Sequence, residues 1–103
     1  SLKLAGISSS GTAVRTELTA PIGQWLRRSF VNTYGRDPVQ IRMMGGTVPT
    51  GVAVGALNAS FAIVPFVNAD NNQHSANENM RLGNYTEGVR GLAGMLTEPF
   101  KAP

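Results

Sequence analysis

The polar stretch from position 68 to position 79 carries the side chains most able to do chemistry. It contains the only histidine of the chain, His74, with Asp70 and Glu78 close by in sequence. A neutral imidazole is the commonest metal ligand in proteins, and a nearby carboxylate can orient or supplement it. A lone histidine in a polar loop is, however, more often an ordinary surface residue or a hydrogen-bonding residue of the loop. One histidine is also too few for a catalytic zinc, which takes about three protein ligands.

A second candidate site is the turn Gly45-Gly46-Thr47, which follows a segment of alternating apolar and polar residues. Two adjacent glycines allow a ligand to approach the backbone closely, and the hydroxyl of Thr47 adds a hydrogen-bonding group. A helix that starts directly after the turn would point free N–H groups at an anion such as a substrate carboxylate. The same residues would also serve as a tight strand-to-helix connection, and their spacing leaves both interpretations open.

The periodicity of apolar residues predicts the elements that would position these two sites. Strands are expected near Leu2 and Leu4 and over residues 39–44 and 61–67. Helices are expected over residues 19–34, from Pro49 to about Leu57, and over residues 82–97. This alternation predicts an α/β fold with a partial parallel or mixed sheet and packed helices. Because two or three strands make a poor independent sheet, we expect the chain to be part of a larger domain.

Local signals mark the ends and the buried faces of the helices. Thr19 is the expected cap of the first helix, Pro21 fits its first turn, and Gly35 offers a left-handed stop. The buried side of the second helix is expected to include Val52, Ala53 and Ala56. The last helix is expected to bury one apolar face, formed by Leu82, Tyr85, Val89, Leu92, Ala93 and Leu96.

Composition and charge exclude several classes of protein. The net charge is +3, but the basic residues are scattered and no aromatic residues interleave with a basic cluster, so we expect no nucleic-acid partner. The absence of cysteine excludes disulfides and thiolate metal sites. No apolar run approaches the ~20 residues of a membrane span, so no membrane partner is expected. The compartment stays open between cytoplasmic and periplasmic or secreted.

The two candidate sites together resemble motifs of a known family. The segment from Gly45 to Pro49 resembles the Gly-Gly-Ser/Thr-x-Pro turn of carnosinase-like peptidases. The segment from His74 to Glu78 resembles the His-Ser-x-Asn-Glu motif that follows it in that family, although Ala76 stands where proline is common. Over roughly residues 12–97 the chain therefore resembles the C-terminal segment of di-zinc peptidases of the carnosinase and glutamate carboxypeptidase family, which has aminoacylase, carboxypeptidase and desuccinylase relatives.

The resemblance implies a domain organisation and a set of site residues. Residues 1–18 would be an extended segment and linker leaving an inserted lid domain, and residues 19–103 the C-terminal part of the catalytic domain. His74 matches the last ligand of the two-zinc site. Gly45, Gly46 and Thr47 match the positions that bind substrate in the family. Asn77 and Glu78 match positions that surround the histidine without binding metal.

The resemblance also implies an activity that this chain cannot perform alone. In the family two zinc ions activate a bridging water for attack on an amide, and an upstream glutamate acts as base. The sequence lacks the family's His-x-Asp motif, Glu-Glu pair and further carboxylate ligands, so it holds no catalytic residue of its own. The complete enzyme would hydrolyse amide bonds of small peptides or N-acyl amino acids, and Val48 favours peptides.

The expected partners follow from this interpretation. They are the remainder of the catalytic and lid domains and a small peptide or N-acyl amino acid substrate. The isolated chain is expected to self-associate through apolar surface that its missing neighbours would cover. The alternative is a free-standing small α/β binding or interaction module without metal chemistry.

Overall fold

The computed structural model describes residues 13–46, 48 and 50–101, without the side chains of residues 52 and 53. It contains three helices, α1 (Pro21–Tyr34), α2 (Thr50–Leu57) and α3 (Leu82–Thr97). None of these helices is long and apolar enough to cross a membrane. The predictions made for Leu2, Leu4, Thr47 and Pro49, and for the side chains of residues 52 and 53, lie outside what the structure describes.

The predicted α/β fold with a partial parallel or mixed sheet is wrong, because the described part of the chain is helical and contains no strand. Residues 39–44 and 61–67, the two predicted strands in this part, run without regular secondary structure. Alternating or continuous apolar residues show which side chains a strand would bury, but a strand forms only where a neighbour completes its ladder. Neither segment has such a neighbour among the described residues.

Helix α1 begins and ends where its proline and glycine predict. Pro21 occupies the first turn, where its missing N–H leaves no hydrogen bond unmade. Gly35 ends the helix in the left-handed conformation, with φ of 71°, and its N–H donates to the carbonyl of Val31 at 2.8 Å. The predicted cap is wrong, because the residue before the helix is Ala20 and no side chain caps it. Thr19 contributes its carbonyl oxygen instead, which accepts a hydrogen bond from the Gln24 amide at 2.8 Å.

Helices α1 and α3 pack against each other in antiparallel orientation. Near the start of α1, the Trp25 indole N–H donates to the carbonyl of Glu98, just beyond the end of α3, at 2.8 Å. At the other end of α1, the Tyr34 hydroxyl donates to the carbonyl of Glu87 at 2.5 Å. Between these two contacts the side chain of Ser29 is buried, with 1% exposure. Hydrogen bonds therefore join α1 to α3 or its C-terminal flank near both ends of α1.

Helix α3 meets its neighbours through a glycine face that includes Gly88 and Gly91, both buried. A Cβ atom at Gly88 would lie 3.1 Å from the side chain of Phe66, and one at Gly91 would overlap the Tyr34 hydroxyl and lie 2.6 Å from the Phe66 ring. The rings of Phe66 and Phe30 stack in parallel with centroids 6.1 Å apart, and Tyr34 lies beside Phe30. Glycine at these positions is what allows the aromatic rings to approach the helix backbone.

The apolar face predicted to be buried on α3 is exposed instead, and Ala56 of α2 is exposed as well. Ala93 lies on this exposed surface, together with the outer stripe, defined as Leu82, Tyr85, Val89, Leu92 and Leu96. The prediction failed because the glycine face admits Phe66 and Tyr34 closely, which directs the larger side chains away from α1. In the described residues no hydrophobic side chain is fully buried. The helix pair therefore has an inner contact but no closed core.

Candidate metal-ligand loop

The polar loop, residues 68–81, lies between the irregular segment that carries Phe66 and the start of α3. Its two ends are joined by the side chain of Asn68, which is 4% exposed. The Asn68 amide nitrogen donates to the Asn79 side-chain oxygen at 3.2 Å, and the Asn68 side-chain oxygen accepts from the N–H of Arg81 at 3.0 Å. An asparagine can make both bonds at once because its amide is both donor and acceptor.

A second pair of bonds shapes the first half of the polar loop. The N–H of Asn79 donates to the carbonyl of Asn71 at 2.9 Å, which adds a backbone closure to the side-chain one. Asn71 is itself buried, and its side-chain oxygen accepts from the N–H of Gln73 at 2.9 Å. This Asx turn reverses the chain immediately before His74.

His74 is held at an exposed position on a turn. The carbonyl of Asn72 accepts two hydrogen bonds from Ser75, one from its N–H at 3.0 Å and one from its hydroxyl at 2.7 Å. Three residues of this segment have left-handed backbones, with φ of 52° at Asn72, 61° at His74 and 59° at Asn77. Positive φ is uncommon for residues other than glycine, so the turn is a specific conformation that its hydrogen bonds maintain. The imidazole is exposed and does not lie in an apolar core.

The Asp70 side chain bonds to residues at both ends of the polar loop. One of its carboxylate oxygens accepts a hydrogen bond from the Asn68 amide at 2.8 Å, and the other pairs with the Arg81 guanidinium at 2.5 Å. The hydrogen bond from Asn68, followed by one from the backbone N–H of Asp70 itself and by the charge of Arg81, lowers the pKa of Asp70 below its ordinary value. Both oxygens are thus used within the loop, which makes Asp70 a structural partner of Asn68 and Arg81 and a poor candidate to join His74 on a metal.

The other predicted site residues are not gathered around one point. Asn77 and Glu78 are exposed, and the described contacts include no hydrogen bond from either side chain. Gly45 and Gly46 are also exposed, and Gly46 has φ of 149°, a conformation that suits glycine. Thr47 lies outside the described residues. Across the described part of the chain, no hydrogen bond or ion pair joins the glycine turn to the polar loop.

The residues present fit one metal ligand but not a complete site. Over the ranges that the structure describes, no three His, Cys, Asp or Glu side chains are grouped so that they could hold a metal ion. An exposed imidazole on a hydrogen-bonded turn is suited to contribute a single ligand, and a catalytic zinc needs about two more from elsewhere.

The asparagines that build the polar loop were not predicted from the sequence. Asn68, Asn71 and Asn79 appear there only as part of a polar run, and Arg81 only as one of several scattered basic residues. The density of asparagine was a usable signal, because asparagine favours turns and left-handed backbones. No protein-family model, curated protein or solved structure matches this chain.

Proposed function

We propose that the chain is the C-terminal part of a zinc-dependent metallopeptidase and that it supplies one metal ligand, the imidazole of His74. The proposal is supported mainly by the position of this ring. The imidazole is exposed on a turn that hydrogen bonds and left-handed residues fix in one conformation. A metal ligand must be held in place before the metal binds, and this turn would hold the imidazole in that way.

The exposed apolar surface supports the part of the proposal that calls for further protein. The outer stripe is exposed, and so are Val39, Ile41 and Met43 in the irregular segment before the glycine turn. Soluble proteins rarely leave large apolar side chains exposed on several elements at once unless another surface covers them. In the proposed enzyme the remainder of the catalytic domain and the lid domain provide that surface.

In the proposed enzyme this chain contributes residues that bind metal and substrate, and the remainder of the protein contributes the catalytic residues. His74 would hold one ion of a zinc pair, with Asn77 and Glu78 beside the histidine. The chemistry that a bound zinc pair would supply is the activation of a water for attack on an amide carbonyl. The turn of Gly45, Gly46 and Thr47 offers backbone groups to the substrate, which we propose to be a small peptide or an N-acyl amino acid.

The decisive experiment uses the longer polypeptide that includes the residues encoded before Ser1. We expect its sequence to carry His-x-Asp and Glu-Glu ligands, and the protein to bind two zinc ions and hydrolyse dipeptides. His74→Ala should lose zinc and reduce kcat/KM by more than the ~100-fold typical of groups that only support a metal ligand. The matched control is Gln73→Ala, since only the N–H of Gln73 bonds within the loop and alanine retains it.

The isolated chain provides a second test. We expect it to show no hydrolysis and only weak zinc affinity by calorimetry, because one imidazole cannot hold the ion alone. Tight zinc binding that His74→Ala abolishes would show a self-contained site and contradict the proposal. A longer polypeptide without the additional ligands would contradict it too, and would favour a binding module without metal chemistry.

A further inference from the structure

We infer that Asn68 is the positioning residue for His74: its buried side-chain amide closes the polar loop and thereby sets where the imidazole is presented. The metal-binding role of the presented imidazole rests on the proposed function. The closure of the polar loop by Asn68 rests only on hydrogen bonds within this chain.

The environment of Asn68 requires an amide. Its nitrogen donates to an Asp70 carboxylate oxygen at 2.8 Å and to the Asn79 side-chain oxygen at 3.2 Å. Its oxygen accepts from the N–H of Arg81 at 3.0 Å. With 4% exposure, the side chain has little access to water that would replace these bonds. An aspartate would keep the acceptor and lose both donors, and a leucine would lose all three bonds.

The closure reaches His74 through consecutive hydrogen bonds. Asn68 holds Asn79 and Arg81 next to the start of the loop, and the N–H of Asn79 then bonds to the carbonyl of Asn71. From Asn71 the Asx turn leads directly into the turn that carries His74. The left-handed backbone at His74 is unfavourable for a free chain, so it persists only while the loop around it is closed.

Nuclear magnetic resonance of the 103-residue chain tests the inference with Asn68→Leu and Asn68→Asp. A left-handed residue has a short distance between its amide and α protons, which gives a strong intraresidue nuclear Overhauser effect. Asn58, at the end of α2 with φ of 47°, lies outside the polar loop and provides an internal reference. Spectra are recorded in a Leu96→Glu background, which removes one exposed leucine of the outer stripe.

We expect both variants to weaken the effect at His74 and to leave it unchanged at Asn58. In Asn68→Leu the Arg81 amide should exchange at least roughly 5-fold faster, as expected from the loss of one hydrogen bond. In Asn68→Asp that amide should stay protected, because the acceptor is retained. The matched control is Asn32→Leu, the same replacement in α1, where Asn32 donates to Glu98. It should leave His74 unchanged.

A full-strength signal at His74 in Asn68→Asp would overturn the inference, and so would a signal lost equally at His74 and Asn58 in both variants. In the longer polypeptide, Asn68→Asp should lower zinc content and kcat while leaving KM nearly unchanged. If the backbone signal is lost at His74 but zinc content is unaffected, Asn68 still positions the loop, and the assignment of His74 as a metal ligand is what fails.

Discussion

The two faces of α3 differ in a way that reverses the usual arrangement of a surface helix. The glycine face, with Gly88 and Gly91, is buried against aromatic rings and against α1. The outer stripe contains the large apolar side chains and is exposed, with Leu82 at 84% and Leu96 at 79%. An amphipathic helix ordinarily buries its apolar stripe and exposes the opposite face.

This difference shows that α3 packs inward through the face that its neighbours can approach most closely, and not through its most hydrophobic face. The Phe66 ring lies against positions without a side chain, and the Arg90 guanidinium lies 5.6 Å from the centroid of the Tyr34 ring. Dispersion and polar bonds hold this face, whereas the outer stripe contributes nothing to stability until another surface covers it.

The largest expected effect comes from filling the glycine face with Gly91→Ala. The added methyl group would overlap the Tyr34 hydroxyl and the Phe66 ring, so both side chains must move away from α3 and lose their packing there. Overpacking of this kind costs about 1–3 kcal/mol, and we expect the upper part of that range. The free energy of unfolding is measured by circular dichroism in urea.

The matched control for this prediction is Gly83→Ala in the same helix. A Cβ atom at Gly83 meets nothing within 4 Å. Alanine there should be neutral or stabilising by up to ~1 kcal/mol, because it favours helix over glycine. Equal stability of the two variants would show that the close approach at Gly91 is not what holds α3 against α1.

The next effect concerns the outer stripe of the isolated chain. We expect the chain to self-associate and to bind a hydrophobic dye, because five large apolar side chains are exposed along one side of α3. Leu92→Glu should weaken association by roughly tenfold, since burying a leucine contributes about 1.5 kcal/mol or more. Sedimentation velocity measures the change. Thr86→Glu, with the same charge on the same helix but outside the stripe, should have a much smaller effect. A monodisperse wild-type monomer that ignores the dye would contradict the prediction.

The helices were predictable from the sequence because their signals are local. Pro21 and Gly35 mark the ends of α1 through backbone conformations that their own chemistry prefers, and the predicted range 82–97 coincides with α3. The sheet was not predictable, because residues 39–44 and 61–67 carry strand-like patterns and the structure describes no ladder for them. A pattern describes one segment, whereas a strand depends on its neighbour.

In the candidate site, too, only the features with local sequence signals could be predicted. A polar loop after residue 67 and its histidine could be predicted from composition alone. The closure by Asn68 could not, since it depends on residues 79 and 81 folding back to an amide that resembles any other asparagine in the sequence. The assignment of His74 to a zinc site stays a prediction, and so do the roles of Gly45, Gly46 and Thr47.

The smallest effect is expected from acidifying the polar loop. In the folded chain the pKa of Asp70 is lowered, first by the hydrogen bond from Asn68 and also by Arg81, so the loop favours the ionised carboxylate. A lowered folded pKa gives a stabilisation that is complete above the ordinary value of about 3.9 and is lost as the pH falls through the folded pKa. The effect is small because Asp70 and Arg81 are exposed and screened by solvent. The amide chemical shifts of Asn68 and Arg81, the two partners of Asp70, should therefore change as the pH falls through the folded pKa of Asp70, below about pH 4. Asp70→Asn, which keeps the acceptor for Asn68 and removes the charge, should abolish that change at the amides of Asn68 and Arg81. A loop transition that persists in Asp70→Asn would place the acid sensitivity elsewhere and leave the hydrogen bonds of Asn68 as the whole of the closure.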